Sequence, residues 1–477
     1  MKSKAMIKIS SLLLVLVLCL MTLVGCTTNL DLPAKSAGVT GNGGLAVQKG
    51  EYIYFVNGYT AISDLKDGDN LGGNDYAAIY RAKLTDGELS YDEDGKLTNV
   101  DKIIDKVCGF DKTQIYIFDD YIYYATPNTE KVISSDSLST NFEIIDFYRA
   151  KLDGTDRVHI YKTIRTSDST KYAFYKLTDS DNVKLAVYDG TALYVIDTAT
   201  KEVKTVSESV SSVALPVYAD YNVQNNQISK GAQNVYYTRS GTEDEALDSG
   251  NVLCYAKLSD GEEQIISSGY YTYTVKQATN EALVYTKKSS YDLNANNYVI
   301  KYAFDAQGKL SLDVQNGGIQ LDASANSEIY LCTFEEGNQT GIVVKNTSNK
   351  LAYLNYQTGA YNVLDTELEL TPLCIYGTKI YAYDGDNSIY QIDYKTKAKY
   401  KLFDAKAEDS EFNKPYFSAK KNFSVCGGYV YYFATYEGDS ETGYYLNRVK
   451  AVISEKYTPE LLAVVQANHI KTETEEE

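Results

Sequence analysis

A two-part unit recurs along the chain and constrains its fold more than any other feature. Each unit has a strand of apolar residues and tyrosines, then a loop, then a second apolar strand that ends in a charged turn. The first two units share Tyr-Arg-Ala-Lys-Leu without a change, at 80–84 and at 148–152. A fixed period of this kind predicts a repeat architecture. The eight copies begin at Tyr52, Tyr121, Leu185, Val235, Leu283, Ile342, Ile380 and Val430.

The strands of this unit predict a β-propeller. Residues 121–124 are apolar on both faces, as a sheet packed between two other sheets requires. Radial stacking of such sheets covers both faces of each one. Each copy has room for an inner strand, such as 114–118, and for an outer strand, such as 157–161. We therefore predict an all-β fold with a single β-propeller over 45–455, with eight blades ahead of seven. A pair of β-sandwiches is the alternative.

The composition agrees with this fold class and argues against some partners. The chain has 46 Tyr, 13 Phe and no Trp, and aromatic residues favour strands. The net charge of −18 argues against nucleic acid and against electrostatic docking to anionic lipid. Five cysteines lie far apart in the body of the chain, and we expect small apolar core residues rather than disulfide or zinc partners at Cys108, Cys254, Cys332, Cys374 and Cys426.

The first 25 residues predict a signal peptide. Three lysines precede an apolar run that is shorter than the about 20 residues of a spanning helix. The sequence Leu23-Val24-Gly25-Cys26 resembles the lipobox of bacterial lipoproteins. This resemblance implies cleavage before Cys26, a diacylglycerol and palmitate-type acylation on it, and stable membrane anchoring. Residues 26–44 would be the lipidated cysteine and a linker, in which 27–42 would form a flexible stalk. A signal-anchor helix, or a plain signal with an incidental cysteine, is the alternative.

The repeat also resembles a known family. The Ile-Tyr-Tyr strand followed by Tyr-Arg-x-x-Leu-Asp-Gly is similar to the propeller repeats of Gram-positive surface lipoproteins. That family is distantly related to the YWTD propellers of low-density-lipoprotein-receptor-like proteins. The resemblance covers about 45–455 and implies a propeller on the outer face of the cell membrane of a Gram-positive bacterium, without identifying a ligand.

The C-terminal residues, 456–477, depart from the repeat. Thr458 in the N-cap position and Pro459 in the first helical position predict a short helix through Asn468. The end of the chain is rich in glutamate and predicts a solvated acidic tail.

A search for catalytic residues finds no nucleophile, base and orienting group together. The chain has two histidines, His159 in the predicted outer strand and His469 near the tail. It contains no G-x-S-x-G and no H-E-x-x-H. We therefore expect a protein that is not an enzyme.

Two sets of residues are candidates for ligand binding. A propeller blade takes about 40 to 50 residues, so the longer steps between repeat copies must contain insertions, and these are polar. The insertions cover 63–75 and 128–140, and long loops gather at the binding end of a propeller. We expect no cofactor, with calcium as the one alternative, for which an oxygen-rich loop offers Asp64, Asp67, Asp69 and Asp75; ordinary turns also use these residues. Aromatic candidates for a ligand surface are Tyr59, Tyr76 and Tyr91.

Together these features predict a membrane-anchored extracellular propeller that acts as a binding or scaffold module. Its partners would be the membrane, through diacylglycerol on Cys26, and a surface protein, peptide or glycan, but no nucleic acid. The alternative function is a surface hydrolase or lyase that acts on polysaccharide.

Overall fold

The structure is a computed structural model, and every regular element among its described residues is a β-strand. The contacts divide the chain into a first unit, 1–34, and a compact second unit, 35–477, which holds the sheets. Within the described residues no helix has the length and apolar character needed to span a bilayer. The described residues are 30–60, 78–93, 97–108, 113–128, 132–134, 137–140, 144–164, 169–177, 180–216, 234–245, 250–278, 282–289, 296–301, 303–304, 310–311, 319–320, 328–334, 340–345, 348–355, 360–365, 367–376, 378–404, 414–415, 423–435, 443–451 and 460–461.

Eight antiparallel sheets of four or more strands follow one another along this part of the chain. Sheets one to four contain β1 (Val39–Thr40), β2 (Ala46–Lys49), β3 (Tyr52–Val56), β5 (Ile79–Lys83) and β6 (Val100–Ile104); β7 (Tyr116–Phe118), β8 (Tyr121–Pro127), β11 (Ile145–Lys151) and β12 (Val158–Lys162); β13 (Lys171–Lys176), β14 (Val183–Tyr188), β15 (Leu193–Asp197) and β16 (Val203–Ser207); and β17 (Val210–Ala214), β18 (Asn234–Ser240), β19 (Asn251–Lys257) and β20 (Glu263–Ser267).

The remaining four sheets repeat this order. Sheets five to eight contain β21 (Tyr271–Ala278), β22 (Ala282–Ser289), β23 (Asn296–Lys301) and β26 (Ile319–Gln320); β27 (Glu328–Phe334), β28 (Thr340–Lys345), β29 (Leu351–Asn355) and β30 (Ala360–Val363); β31 (Thr371–Tyr376), β32 (Lys379–Tyr383), β33 (Ile389–Asp393) and β34 (Lys399–Phe403); and β35 (Lys414–Pro415), β36 (Phe423–Cys426), β37 (Tyr429–Thr435), β38 (Gly443–Lys450), β39 (Glu460–Leu461) and β4 (Gly58–Thr60). Two further strand pairs are β9 (Val132–Ser134) with β10 (Ser137–Thr140) and β24 (Ala303–Phe304) with β25 (Leu310–Ser311).

The two strands of each predicted repeat unit form an antiparallel hairpin-like pair in every sheet, so this prediction is confirmed. The predicted inner strand 114–118 contains β7, and the predicted outer strand 157–161 contains most of β12. Burial explains the pattern. All five residues of β3 and all six of β14 are buried, because a sheet inside a stack has no wet face.

One inner strand from each sheet lines the centre of the fold, and these strands form a closed ring. The strands of a sheet are counted outward from this inner strand, so β2 is the first strand of sheet one and β36 that of sheet eight. β17, β21, β27, β31, β36, β2 and β7 contact one another in that order. β13 completes the ring, since the Phe174 ring packs at 5.5 Å from that of Tyr116 on β7. On its other side, Tyr175 Oη donates to the carbonyl of Pro216, just after β17, at 2.9 Å. The fourth strands, such as β16 and β20, are the exposed outer ones. This closed stack of sheets confirms the all-β propeller.

Residues 39–45, here named the seam segment, join sheet one to both of its neighbours. The Asn42 amide donates to the Ile117 carbonyl at 3.1 Å and accepts from the Ile117 N–H at 2.7 Å, which extends the edge of β7. On the other side, the Leu45 N–H donates to Ser424 Oγ at 3.3 Å. Cys426 Sγ donates to the Thr40 carbonyl at 3.4 Å. The segment therefore ties the first sheet to the second and to the last.

The close approach at the seam requires glycine at position 41. Its φ of +82° lies in the left-handed region, and an added Cβ would lie 2.6 Å from the Ala46 carbonyl oxygen and 2.9 Å from Cys426 Cβ. Only glycine adopts this positive φ and also leaves room for the two neighbouring atoms without strain. The seam overlaps the end of the predicted linker, 26–44, and its residues are packed against sheets two and eight. Its glycines, which predict flexibility, serve close packing instead.

A buried lysine fixes the chain just before the seam. Lys49 is 1% exposed, and its ammonium donates to the carbonyls of Lys35 and Ala37 at 3.0 and 3.2 Å. Burial lowers the pKa of Lys49. Main-chain carbonyls thus replace the water that a buried ammonium group requires.

Sheets one and eight meet a second time outside the seam. β4, which follows β3 in the chain, pairs antiparallel with β38, and the Leu446 N–H donates to the Asn57 carbonyl at 3.3 Å. Glu88 accepts a hydrogen bond from Tyr429 and lies 3.6 Å from Arg448 and 3.4 Å from Lys450. Partial burial would raise the pKa of Glu88, but the hydrogen bonds from Tyr429 and Lys450 outweigh it and the pKa is lowered.

The arginine of the repeated Tyr-Arg-Ala-Lys-Leu sequence pairs with a tyrosine on the neighbouring strand. The guanidinium of Arg81 lies 4.7 Å from the Tyr52 ring centroid, and that of Arg149 lies 5.0 Å from the Tyr121 centroid. Sheet eight has the same pair, with Arg448 at 3.8 Å from the Tyr429 centroid. Each arginine lies on the third strand and each tyrosine begins the second. Desolvated cation–π contacts of this kind are worth about 2 kcal/mol.

The cysteine prediction is confirmed for the three side chains that the structure describes. Cys108, Cys254 and Cys426 are buried, and none of these three is part of a disulfide. The side chains of Cys332 and Cys374 lie outside the described residues, as do Cys26 and the rest of 1–29.

The predicted C-terminal helix is wrong at the two residues of 456–468 that the structure describes. Glu460–Leu461 forms β39, which pairs antiparallel with Arg448 and Asn447 of β38. The capping signal at Thr458 and Pro459 is a local one, and pairing with the open edge of sheet eight overrides it.

The Arg448–Tyr429 contact gives a test of the tyrosine–arginine pair. We expect Arg448→Met to lower the free energy of unfolding by about 2 kcal/mol, because it removes a desolvated cation–π contact while keeping the volume of the stem. Urea unfolding measures this. The control is Arg157→Met, which removes a half-exposed pair with Asp105 and should cost under about 1 kcal/mol. Equal losses in the two variants would contradict the role given to Arg448.

Candidate functional site

The strand order defines which end of the propeller carries the predicted binding loops. The connection from the second strand to the third lies at one end of each sheet. The chain also enters the next sheet at this end, here named the loop end. Both predicted insertions connect a second strand to a third, 63–75 between β3 and β5 and 128–140 between β8 and β11. The strands that flank these two insertions therefore end or begin at the loop end. The calcium candidates Asp64, Asp67, Asp69 and Asp75 and the aromatic candidate Tyr76 lie outside the described residues.

The structure does not bring the other two aromatic candidates together. Tyr59 is in β4, with its backbone paired to Tyr444 of β38. Tyr91 is half-buried and bridges to Leu97 in the connection between the third and fourth strands of sheet one. That connection lies at the end opposite the loop end, so these two tyrosines do not form one surface. Among the described residues, no group of three or more His, Cys, Asp or Glu is arranged to hold a metal ion.

A polar cleft of about 510 Å³ opens at the loop end between sheets four and five. Its walls come from the inner strands β17 and β21 and from the turn that joins β18 to β19. Among the described residues, hydroxyl groups, one amide, one tyrosine and two glycines make up the lining, with no Asp, Glu, His, Lys or Arg. The lining residues are Ser211, Ser212, Thr238, Ser240, Gly241, Gly250, Asn251, Thr272, Tyr273 and Thr274.

Hydrogen bonds between the two sheets hold the cleft in shape. The Asn251 amide donates to the Tyr273 carbonyl at 2.8 Å and accepts from the Tyr273 N–H at 2.6 Å, as a neighbouring strand would. Ser212 Oγ accepts from the Val275 N–H at 3.0 Å and lies 2.6 Å from Thr238 Oγ1. The cleft is therefore rigid at its base, and its shape is set before any ligand enters.

Strand alternation separates the charged groups from the cleft. Thr238 and Ser240 face sheet five, so Arg239 between them faces sheet three. Its guanidinium bonds Glu263 at 2.6 Å and Glu245 at 2.9 Å. Hydrogen bonds to Glu245 and Glu263 raise the pKa of Arg239, and those from Arg239 lower the pKa of Glu245 to about 2. Arg239 and Glu245 therefore keep one charge state across the neutral range.

Two more titratable groups lie on the same side of sheet four. Tyr237 is buried and donates to Glu263, and burial together with that hydrogen bond raises its pKa. Burial raises the pKa of the Cys254 thiol to about 12. Neither group loses a proton near neutral pH, so neither offers a general base or a thiolate there.

Two exposed tyrosines, here named the rim, directly precede the cleft wall in the chain. Tyr270 is 52% exposed and Tyr271 is 37% exposed, directly before Thr272 and Tyr273 in the wall. The Lys287 ammonium lies 3.9 Å from the Tyr271 ring centroid, which covers one face of that ring. Gly269, with φ +111°, donates its N–H to the Glu245 carbonyl at 2.8 Å. This bond anchors the connection that presents Tyr270.

His159 has a carboxylate partner, which the sequence did not predict. On the outer strand β12, its Nε2 lies 2.9 Å from Asp146 Oδ1, and the Asn128 amide donates to Asp146 Oδ2 at 2.6 Å. The Tyr148 ring packs edge-on against the imidazole at 5.0 Å. These contacts position a histidine on sheet two, away from the cleft.

The cleft residues escaped the sequence analysis because they are ordinary serines and threonines from distant segments. A signal for them exists in the inner strands. β7 and most of β13 are apolar, whereas β17 contains Ser211-Ser212 and β21 alternates tyrosine and threonine from Tyr271 to Thr274. Polar side chains on two consecutive inner strands indicate a space between them that is not filled by core.

No protein-family model and no curated protein matches the chain. Solved structures similar to it include the β-propeller domain of the trilobed protease from Pyrococcus furiosus, at 10% identity and a TM-score of 0.40 over 78% of this chain and 99% of that one. The tricorn protease is 10% identical, with a TM-score of 0.41 over 79% of this chain and 35% of that one. An oligogalacturonate lyase in complex with manganese is 9% identical, with a TM-score of 0.34 over 87% of this chain and 96% of that one. Because these identities and TM-scores are low, the propeller assignment rests on the strand pairing and the ring contacts described above.

Proposed function

We propose that the chain is an extracellular binding module, anchored to the membrane through lipid on Cys26, that holds a surface protein, peptide or glycan in the cleft between sheets four and five. The observation that carries the proposal is the cleft itself. It is concave, rigid at its base and lined by uncharged donors and acceptors at the loop end, as a pre-formed ligand site requires.

The electrostatics next to the cleft favour binding over acid–base catalysis. Arg239 is held between two carboxylates, and Tyr237 and Cys254 have raised pKa values. A general acid or base works best with a pKa near the operating pH. These groups are instead held in fixed charge states, which suits a scaffold that supports the wall of a binding site.

The cleft gives the test of this function. We expect the full chain, in detergent, to bind at least one class of a panel of neutral oligosaccharides, acidic oligosaccharides and short peptides. Ser211→Trp should abolish that binding, because Ser211 is exposed on the wall and the indole would fill the cleft. Val203→Trp, at an exposed position on outer strand β16, should bind as the wild type does.

Binding that survives Ser211→Trp, or no binding to any class, would contradict the proposed site. Release of shortened products from an oligosaccharide would instead support the alternative, a hydrolase or lyase that acts on polysaccharide.

The anchor is tested separately in bacterial cells. We expect the wild-type chain to incorporate an alkyne-tagged fatty acid and to fractionate with membranes, because two acyl chains give stable anchoring. Cys26→Ala should lose the label and the membrane association. Cys19→Ala, in the apolar run of the signal, should keep both. A labelled, membrane-bound Cys26→Ala variant would exclude lipid on this residue.

A further inference from the structure

The uncharged lining of the cleft restricts the charge of its ligand. An acidic or basic ligand needs a counter-charge when it leaves water, and the described lining residues supply none. The nearest cation, Arg239, faces sheet three, and its N–H groups are directed at Glu263, Glu245 and the Ser240 carbonyl. It therefore has no free charge to offer an anion. A neutral ligand fits these conditions.

The main chain of β21 argues against a peptide that adds as a strand. Strand addition uses free main-chain donors and acceptors along an edge. At the cleft, the Tyr273 N–H is held by Asn251 and the Val275 N–H by Ser212. Recognition is therefore left to side-chain hydroxyl groups. A hydroxyl both donates and accepts, which matches the hydroxyl groups of a sugar.

The rim adds a surface for stacking. The Tyr270 ring is about half exposed, and its connection is anchored by the Gly269–Glu245 hydrogen bond. An aromatic ring with a polar tip suits a ligand that has an apolar face and polar edges, as a pyranose ring does. Lys287 restrains the neighbouring Tyr271 ring. Both tyrosines directly precede the wall residues Thr272 and Tyr273 in the chain, which places a stacking surface next to the cleft.

We propose that the cleft between sheets four and five binds an uncharged oligosaccharide, with one sugar ring hydrogen-bonded to the serine and threonine hydroxyls and another stacked on Tyr270. This inference rests on the proposed binding function and names its ligand class. The cleft volume of about 510 Å³ lies within the about 300 to 1,000 Å³ that small-ligand sites occupy.

Isothermal titration of the full chain in detergent tests the ligand class. The neutral probes are maltohexaose, cellohexaose and mannohexaose, the acidic probe is hexagalacturonate, and a pooled set of short uncharged peptides is the third class. We expect binding of a neutral probe that is unaffected by added salt, since no charge pairs are formed. Ser211→Trp should abolish it.

Variants at the rim test the stacking. Tyr270→Ala should weaken binding of the neutral probe by at least about tenfold, the loss of about 1.4 kcal/mol. Tyr270→Phe should restore it, because the ring is kept. The matched control is Tyr400→Ala, at a tyrosine that is 43% exposed on outer strand β34, and it should bind as the wild type does.

The outcomes separate the two proposals. If hexagalacturonate or a peptide binds instead and Ser211→Trp blocks it, the neutral-oligosaccharide inference is wrong while the binding function stands. If Ser211→Trp blocks no probe, both fail. If Tyr270→Ala binds the neutral probe as tightly as the wild type, the stacking role of Tyr270 is wrong.

Discussion

The hydrogen bonds of the seam segment, residues 39–45, are the constraint on which the rest of the structure depends. Sheets in a propeller are buried on both faces only if the ring is closed, because an open ring leaves the outer faces of its first and last sheets in water. Here the segment bonds Ile117 of β7 on one side and Ser424 and Cys426 of β36 on the other. A short run of chain therefore connects the first, second and last sheets. β4 and Glu88 add a second connection between sheets one and eight.

Closure also determines where a ligand site can form. Once the sheets are held in a ring, every connection from a second strand to a third lies at the same end, and a gap between neighbouring inner strands opens there. Sheets four and five leave such a gap because β17 and β21 present Ser212, Thr272 and Thr274 where most inner strands present apolar side chains. Asn251 then spans the gap and fixes its width. The cleft is thus a consequence of polar residues on two inner strands in an otherwise apolar ring.

The sequence predicted the fold well because burial controls it locally. The eight strand pairs follow from tyrosine-rich strands that are apolar on both faces, and all eight are present. Contacts between distant segments were beyond such reasoning. From the sequence alone, the glycines of the seam indicate a flexible linker. The close approach of Cys426 to Gly41, which requires glycine there, is a contact between distant segments. The cap at Thr458 indicates a helix until β38 offers a strand edge to Glu460. The cleft combines side chains that are about sixty residues apart in the chain and of types found on any surface, so no local pattern names them.

The most direct test of ring closure is a disulfide across the seam. Thr40 Oγ1 lies 3.6 Å from Cys426 Sγ, although 386 residues separate them in the chain. In Thr40→Cys, mild oxidation should link position 40 to Cys426, as peptide mapping would show. For a loop of this length the loop-entropy relation gives a stabilisation of about 6 kcal/mol. Thr40→Cys with Cys426→Ala should form no such link. A folded Thr40→Cys protein whose new thiol stays fully reactive and unlinked would contradict the closed ring.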